Sequence, residues 1–237
     1  MAVDKLTDMA WLDRGKPWPP KSETARLRLY DENRKLFRGD HAQVFVQNWN
    51  RLKRDDQQSL ELVLNWFKRL STLWADLLLG EPPKITVGES GSQEKQACDR
   101  LIKDNDLMNA CYKIALDVSA LGTGLFKIRY DGDKRRGFIE AQPPELWFPV
   151  FNPNNINEIQ AHVLAWTVVD ENKRGTLTAE VHYTDRVEMY RFEVNSERIG
   201  RMLEDPTVVE HGLGEFLVVP VHNLQPSNAA FGMDDYS

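Results

Sequence analysis

Five histidines, two cysteines and a few glycine-punctuated stretches are the residues that catalysis or ligand binding would draw on here. Their spacing decides which chemistry is open to them. The stretch 88–92, Gly-Glu-Ser-Gly-Ser, sets a serine between glycines as a nucleophile elbow does. That elbow needs glycine where Ser92 stands, and a strand running straight into a helix, so a flexible loop is the simpler reading. The stretch 122–127, Gly-Thr-Gly-Leu-Phe-Lys, begins like a dinucleotide-binding G-x-G-x-x-G. Lys127 replaces its third glycine and the local order is helix then strand, the reverse of a pyrophosphate cradle; a helix stop is expected. His41, His162, His182, His211 and His222 lie far apart, with neither H-E-x-x-H nor H-x-H spacing. His162 and His182 fall in alternating sequence, where a cross-strand partner is the ordinary explanation. With Asp185 they would make an acid–base or metal group only if the fold gathered them. Asp131 and Asp133 suit a turn, where short carboxylates bond their own backbone. Lys134, Arg135 and Arg136 then form a small basic tip, a candidate contact for an acidic neighbour or a phosphate. No catalytic, cofactor-binding or metal-ligating residue is assigned, and no cofactor is expected.

Composition narrows the class further. The chain has 237 residues, 41% hydrophobic and 28% charged, enough to bury about 70% of its unfolded surface. Lys plus Arg number 30 against 36 Asp plus Glu, a net charge of -6. No basic stripe announces nucleic-acid binding. Cys98 and Cys111 have no C-x-x-C spacing and fit reduced thiols rather than a disulfide framework. The N-terminal segment lacks a signal-peptide pattern, and no apolar run approaches the roughly 18 residues that span a bilayer. A soluble intracellular protein without a membrane partner is expected.

The elements that would position these residues follow from periodicity. Residues 1–21 are rich in Trp and Pro, including Trp11 and Trp18, and predict an extended N-terminal arm that packs on something else, a neighbour included. A first helix runs from a Ser22 cap to about Phe37 and stops at Gly39. A second, over 55–79, carries Leu60, Val63, Leu64, Phe67, Leu70, Trp74, Leu77 and Leu78 at three- and four-residue steps, a stripe wide enough to be buried against more than one layer. Gly80 suits a left-handed cap, and Pro82-Pro83 end the helix, since proline lacks an N–H and clashes with the preceding turn; a short strand is expected at 84–87. Further helices are expected over 93–105 and 107–121. From Gly122 and Gly124 onward the period changes from 3.6 to 2, giving a hairpin (126–130 with 137–141) and a meander (159–169, 176–184, 187–194), with a last strand at 216–219. The proline-rich stretch around Phe148-Pro149 is expected to be a loop crossing a sheet edge. The fold class is α+β, with N-terminal amphipathic helices packed on an antiparallel β-meander. The expected regions are an arm (1–21), a helical region (22–123) and an antiparallel β region (124–221), followed by 222–237.

Four strings in this order resemble the portal proteins of tailed bacteriophages. Leu78-Leu79-Gly80-Glu81-Pro82-Pro83 resembles the family's helix-ending "LFGEPP". The stretch 120–131 is similar to its helix end, glycine pair and strand closing on Tyr130-Asp131. The stretch 144–150 resembles the proline-rich segment ending in "FPV", at Phe148-Pro149-Val150, and 219–222 with 232–235 resembles the approach to the first stem helix. The resemblance implies a portal wing-like fold and a non-enzymatic structural role. It implies a homo-oligomeric ring of about twelve subunits at one capsid vertex, which a terminase, scaffold or capsid proteins and head-completion proteins would contact. It also implies a virion location, with host cytoplasm during assembly, for a phage or prophage product. Residues 222–237 would then be the start of a stem that is missing here.

The acidic balance suits a conduit. Non-specific DNA binding is worth roughly 5–8 kcal/mol at physiological salt, and DNA is expected to pass through the ring without specific binding. Two other readings stay open: another phage tail or baseplate assembly protein, and an α+β enzyme or ligand-binding module near His162, His182 and Asp185.

Overall fold

A computed structural model of the chain describes residues 5–45, 64–171, 174–195, 197–227 and 229–236. The chain is α+β, helices preceding an antiparallel meander, and it divides into two compact units. One comprises Met1–Ala25, Leu125–Pro220 and Pro226–Ala230; the other comprises Arg26–Gly124, Val221–Gln225 and Phe231–Ser237.

The first unit is built on two sheets. The smaller has the order β2-β1-β9, from β1 (Thr123–Asp131), β2 (Arg136–Gln142) and β9 (Val218–His222). The larger runs β3-β4-β5-β6-β7, from β3 (Trp147–Asn152), β4 (Asn155–Val169), β5 (Gly175–His182), β6 (Arg186–Asn195) and β7 (Arg198–Met202); β8 (Thr207–Glu210) also pairs with β6. Strand alternation sorts the large sheet into two faces. Trp147, His162, Leu164, Glu180 and His182 share one face, because Trp147 pairs with Leu164, Glu180 with Leu164, and His162 with His182. Lys127 of β1 meets Glu180 on that face, and Phe216 sets its ring edge-on to His162 at 4.6 Å.

The opposite face carries Phe148, Val163, Ala179 and Val181, all buried, and the arm covers it. Trp11 stacks on Trp18 at 6.0 Å, both rings lie within 5.4 Å of Phe148, and the Trp18 indole donates to Thr167 Oγ1 at 2.8 Å. The arm's backbone is tied as well: Leu6 bridges Val150 of β3, and Gly15 and Trp18 donate to Ile199 and Glu197 at 2.7 and 2.8 Å. An arm without periodicity is thus ordered by aromatic burial and by ladder bonds borrowed from its own sheet.

The second unit holds α1 (Thr24–Arg38, whose first two residues belong to the first unit), α2 (His41–Val44), α3 (Trp66–Leu79), α4 (Gln93–Asp104) and α5 (Leu107–Leu121). Asn65 caps α3 by accepting from the Lys68 N–H at 2.9 Å, and Ser92 caps α4 through Lys95 at 3.2 Å, each satisfying an orphan donor of a first turn. Tyr30, Ala120 and Leu121 form a buried cluster edged by Phe37 and Tyr236.

Four expectations are corrected. The proline-rich stretch is not a loop: 147–152 is strand β3, with Pro149 opposite His162 at the sheet's edge, where a missing N–H leaves no gap in the ladder to β4. No strand forms at 84–87, which has no regular secondary structure and leaves Ile85 and Val87 exposed; without a neighbouring strand such a run has no ladder to join. Gly80 is right-handed (φ -61°, ψ -31°), its N–H still bonded to Asp76 at 2.8 Å, so the stop comes from the prolines after it. Finally, only Ser71 and Ala75 of α3 are buried, while Leu64, Leu70, Trp74, Leu77 and Leu78 are exposed. Small residues let α3 approach α5 closely, and the broad stripe faces outward; Leu60, Val63 and the start of the expected 55–79 helix lie outside the described residues.

Candidate functional site

The densest polar construction in the second unit is a crossing between the end of α5 and the C-terminal segment. Gly122 caps α5 in the left-handed region (φ 75°), its N–H on Val118 O at 2.9 Å, and its own carbonyl accepts from Asn223 N at 2.9 Å. A Cβ on Gly122 would sit 2.2 Å from the Gly232 carbonyl oxygen, and a Cβ on Gly232 would sit 2.0 Å from that of Gly122. Only glycine fits at both points. Gly124 is closed to a side chain for another reason: its Cβ would meet Ile114 Cγ2 at 2.7 Å.

Side chains lock this crossing. Ser119 Oγ donates to Asp235 at 2.6 Å and lies 2.9 Å from Ser71 Oγ, which pairs with the Tyr236 hydroxyl at 2.8 Å. Asp235 also accepts from Asn223 Nδ2 at 2.8 Å, and its N–H donates to Ser119 O at 2.9 Å. Burial raises the Tyr236 hydroxyl above its usual range and keeps it a neutral donor. Thr123 Oγ1 accepts from Gly232 N at 3.1 Å and lies 3.1 Å from His222 Nδ1. Burial lowers His222, so its neutral form, with Nδ1 accepting the Thr123 proton, suits this geometry. Residues 223–236 contain no helix among the described residues; the segment resembling an approach to a stem is an irregular strap, with a turn bond from Ala229 N to Pro226 O, fastened to α3 and α5.

In the first unit, Lys127 and His182 Nε2 both donate to the Glu180 carboxylate, His182 at 3.3 Å. Burial pushes Glu180 up, but the hydrogen bonds from His182 and Lys127, with the Lys127 charge, outweigh it and hold the carboxyl below its usual range. The fold therefore brings His162 and His182 opposite each other, as a cross-strand pair. It does not bring Asp185 to them: that carboxylate lies in the β5–β6 turn and accepts from Arg186 at 3.1 Å. His162 Nδ1 accepts instead from the Trp147 indole at 3.0 Å. Among the described residues no group of three or more His, Cys, Asp or Glu is placed to hold a metal ion. Cys98 and Cys111 are free thiols.

Of the other singled-out residues, Glu81, Pro82 and Pro83 are exposed, and Phe148 and Pro149 are buried in β3. Trp11 and Trp18 pack on their own sheet as above. Lys134, Arg135 and Arg136 do form the β1–β2 tip, with Arg135 at φ 48°. Arg129, Lys134 and Arg136 gather over the Phe138 ring at 4.1, 5.5 and 4.6 Å, a cation–π cluster that charge counting alone misses. The strap contacts were equally hidden: Ser71, Ser119, Asp235 and Tyr236 are ordinary surface types whose meeting depends on the path of the last residues.

Among the described residues no helix is long and apolar enough to cross a membrane. No curated protein matches the chain. The family model described as "Phage portal protein, SPP1 Gp6-like" matches residues 20–230, a span that takes in most of both units. With nearly the whole sequence matched in order, through helices, meander and the start of the strap, the chain belongs to the phage portal protein family.

Proposed function

We propose that this chain is a structural subunit of the portal ring at one capsid vertex, supporting DNA packaging and ejection and head–tail joining. The family match over residues 20–230 carries this reading. The portal family is structural and non-enzymatic, and it implies a ring-forming oligomer within a virion. On this reading about twelve copies close the ring through head-to-tail contacts. A terminase, scaffold or capsid proteins and head-completion proteins dock on it, after assembly in the host cytoplasm.

Two physical features support a load-bearing role. The strap is fixed by paired glycines and by side chains from two helices, so a pull on the C-terminal segment is shared by several bonds rather than borne by one. The net charge of -6 disfavours adhesion to passing phosphates.

Antibody labelling of phage particles observed by electron microscopy tests the proposal. A single label per particle, at the vertex bearing the tail, is the expected result. Label at the tail tip or baseplate would replace it with the tail-component reading, and label on every vertex would exclude both.

A further inference from the structure

The outward face of α3 is ordered in a way that chance exposure does not explain. Trp66, Leu70, Leu73 and Leu77 follow the four-three-four spacing of a two-heptad seam, and each is between 47% and 68% exposed. Monomeric proteins seldom leave a contiguous apolar patch of this extent bare. The flank beside the seam is charged in halves: Arg69 lies on the N-terminal half and Asp76 one heptad later, on the same side of the helix. Arg69 makes no ion pair among the described residues and rests over Trp66 at 5.4 Å. Asp76 is exposed; among the described residues its carboxylate accepts from the Tyr112 hydroxyl, at 2.8 Å, and makes no ion pair, leaving its charge available.

We infer that α3 is a self-association surface, paired antiparallel with α3 of a second copy about a two-fold axis. Antiparallel packing sets Trp66 opposite Leu77 of the second copy and Leu70 opposite its Leu73, closing four apolar layers. The same register brings Arg69 to Asp76 of the second copy, and Asp76 to its Arg69, because flanking positions of one kind meet each other in an antiparallel pair. A parallel pair would instead set Arg69 against the opposite flank, where Phe67 and Trp74 stand, and form no ion pair. Charge and seam thus select the same partner and the same direction. A 14-residue helix pair buries less than the roughly 800 Å² per partner of a standard interface, so the association is weak and reversible. A two-fold contact is isologous, whereas neighbours in a ring make heterologous contacts. The pairing therefore describes subunits outside the ring, and the inference does not rest on the ring reading.

Sedimentation equilibrium of the purified chain, with a thermal melt of every variant, tests it. The wild type should show a concentration-dependent monomer–dimer equilibrium, and L73E/L77E should be monomeric with an unchanged Tm. R69D should weaken dimerisation by about tenfold, and R69D/D76R, which restores opposite charges in the antiparallel register, should recover it. Y112F removes the same hydrogen bond as D76R and controls for its loss. A wild type that stays monomeric would overturn the inference. So would L73E/L77E with a lowered Tm and no change in association, since the face would then be covered within its own chain, for instance by residues 46–63. Failure of the folded charge-swapped protein to recover association would overturn the antiparallel register.

Discussion

Gly122 and Gly232 approach so closely that a methyl group on either would fall within 2.2 Å of the other's carbonyl oxygen. Because the obstructing atoms are backbone, no rotamer change relieves the overlap. Gly122→Ala adds the strain of its left-handed φ. Each Ala variant should lose about 2 kcal/mol or more, a Tm fall of roughly 4–8 °C for a chain of this size. Gly132→Ala, whose Cβ meets nothing within 4 Å, should leave the melt nearly unchanged. Equal melts for all three would place the strap elsewhere.

Acid should loosen the strap through His222. Its folded pKa lies below the unfolded value because burial disfavours the imidazolium, so below about pH 6.5 the unfolded chain binds more protons than the folded one. The stability it contributes is complete above that pH and is lost as pH falls through the folded pKa. Urea midpoints should therefore fall between about pH 7.5 and about pH 5.5, and His222→Gln should flatten that slope. A slope unchanged by the substitution would assign the effect to other groups.

The Lys127–Glu180 pair should be costly to break from one side. Removing the cation in Lys127→Met leaves a buried carboxylate with His182 as its remaining hydrogen-bond donor among the described residues, at an expected loss of about 3 kcal/mol. The double variant Lys127→Met/Glu180→Leu should be more stable than the single one, because no uncompensated charge remains. Additive losses would show that the pair's charges are solvated. Since Glu180 is held below its usual range, its contribution is present above about pH 4.5 and disappears on further acidification.

The chain should not retain duplex DNA at physiological salt. Its basic tip is small and its net charge is -6, so few counterions would be released on contact. Filter binding should give no sub-micromolar dissociation constant. A tight, steeply salt-dependent complex lost on Lys134→Glu/Arg135→Glu would turn the tip into a DNA contact.

Much of the fold was legible because periodicity is a local property. The helices at 93–104 and 107–121, the hairpin and the three long meander strands fall where the 3.6- and 2-residue repeats place them. Strand β3 was missed because Pro149 punctuates it, and an edge position tolerates what a central strand would not. Strands β7 and β8 are too short, at five and four residues, to show a clear alternation, and each takes its ladder from β6. The stripe on α3 was found, but its direction was not: amphipathicity reveals a face without saying whether the chain's own core or another molecule covers it. At the crossing, Gly122 was visible as a helix stop, whereas Gly232 carries no local signal of the backbone it must admit.

The bridge from Leu6 to Val150 has a last consequence. Phe151 N donates to Leu6 O at 2.8 Å, so the outer rim of β3 is occupied by the arm instead of presenting bare donors and acceptors. Uncovered rims of this kind recruit foreign strands and seed aggregates. The arm at 5–18 thus acts as a gatekeeper, and a version lacking it should precipitate at concentrations the whole chain tolerates.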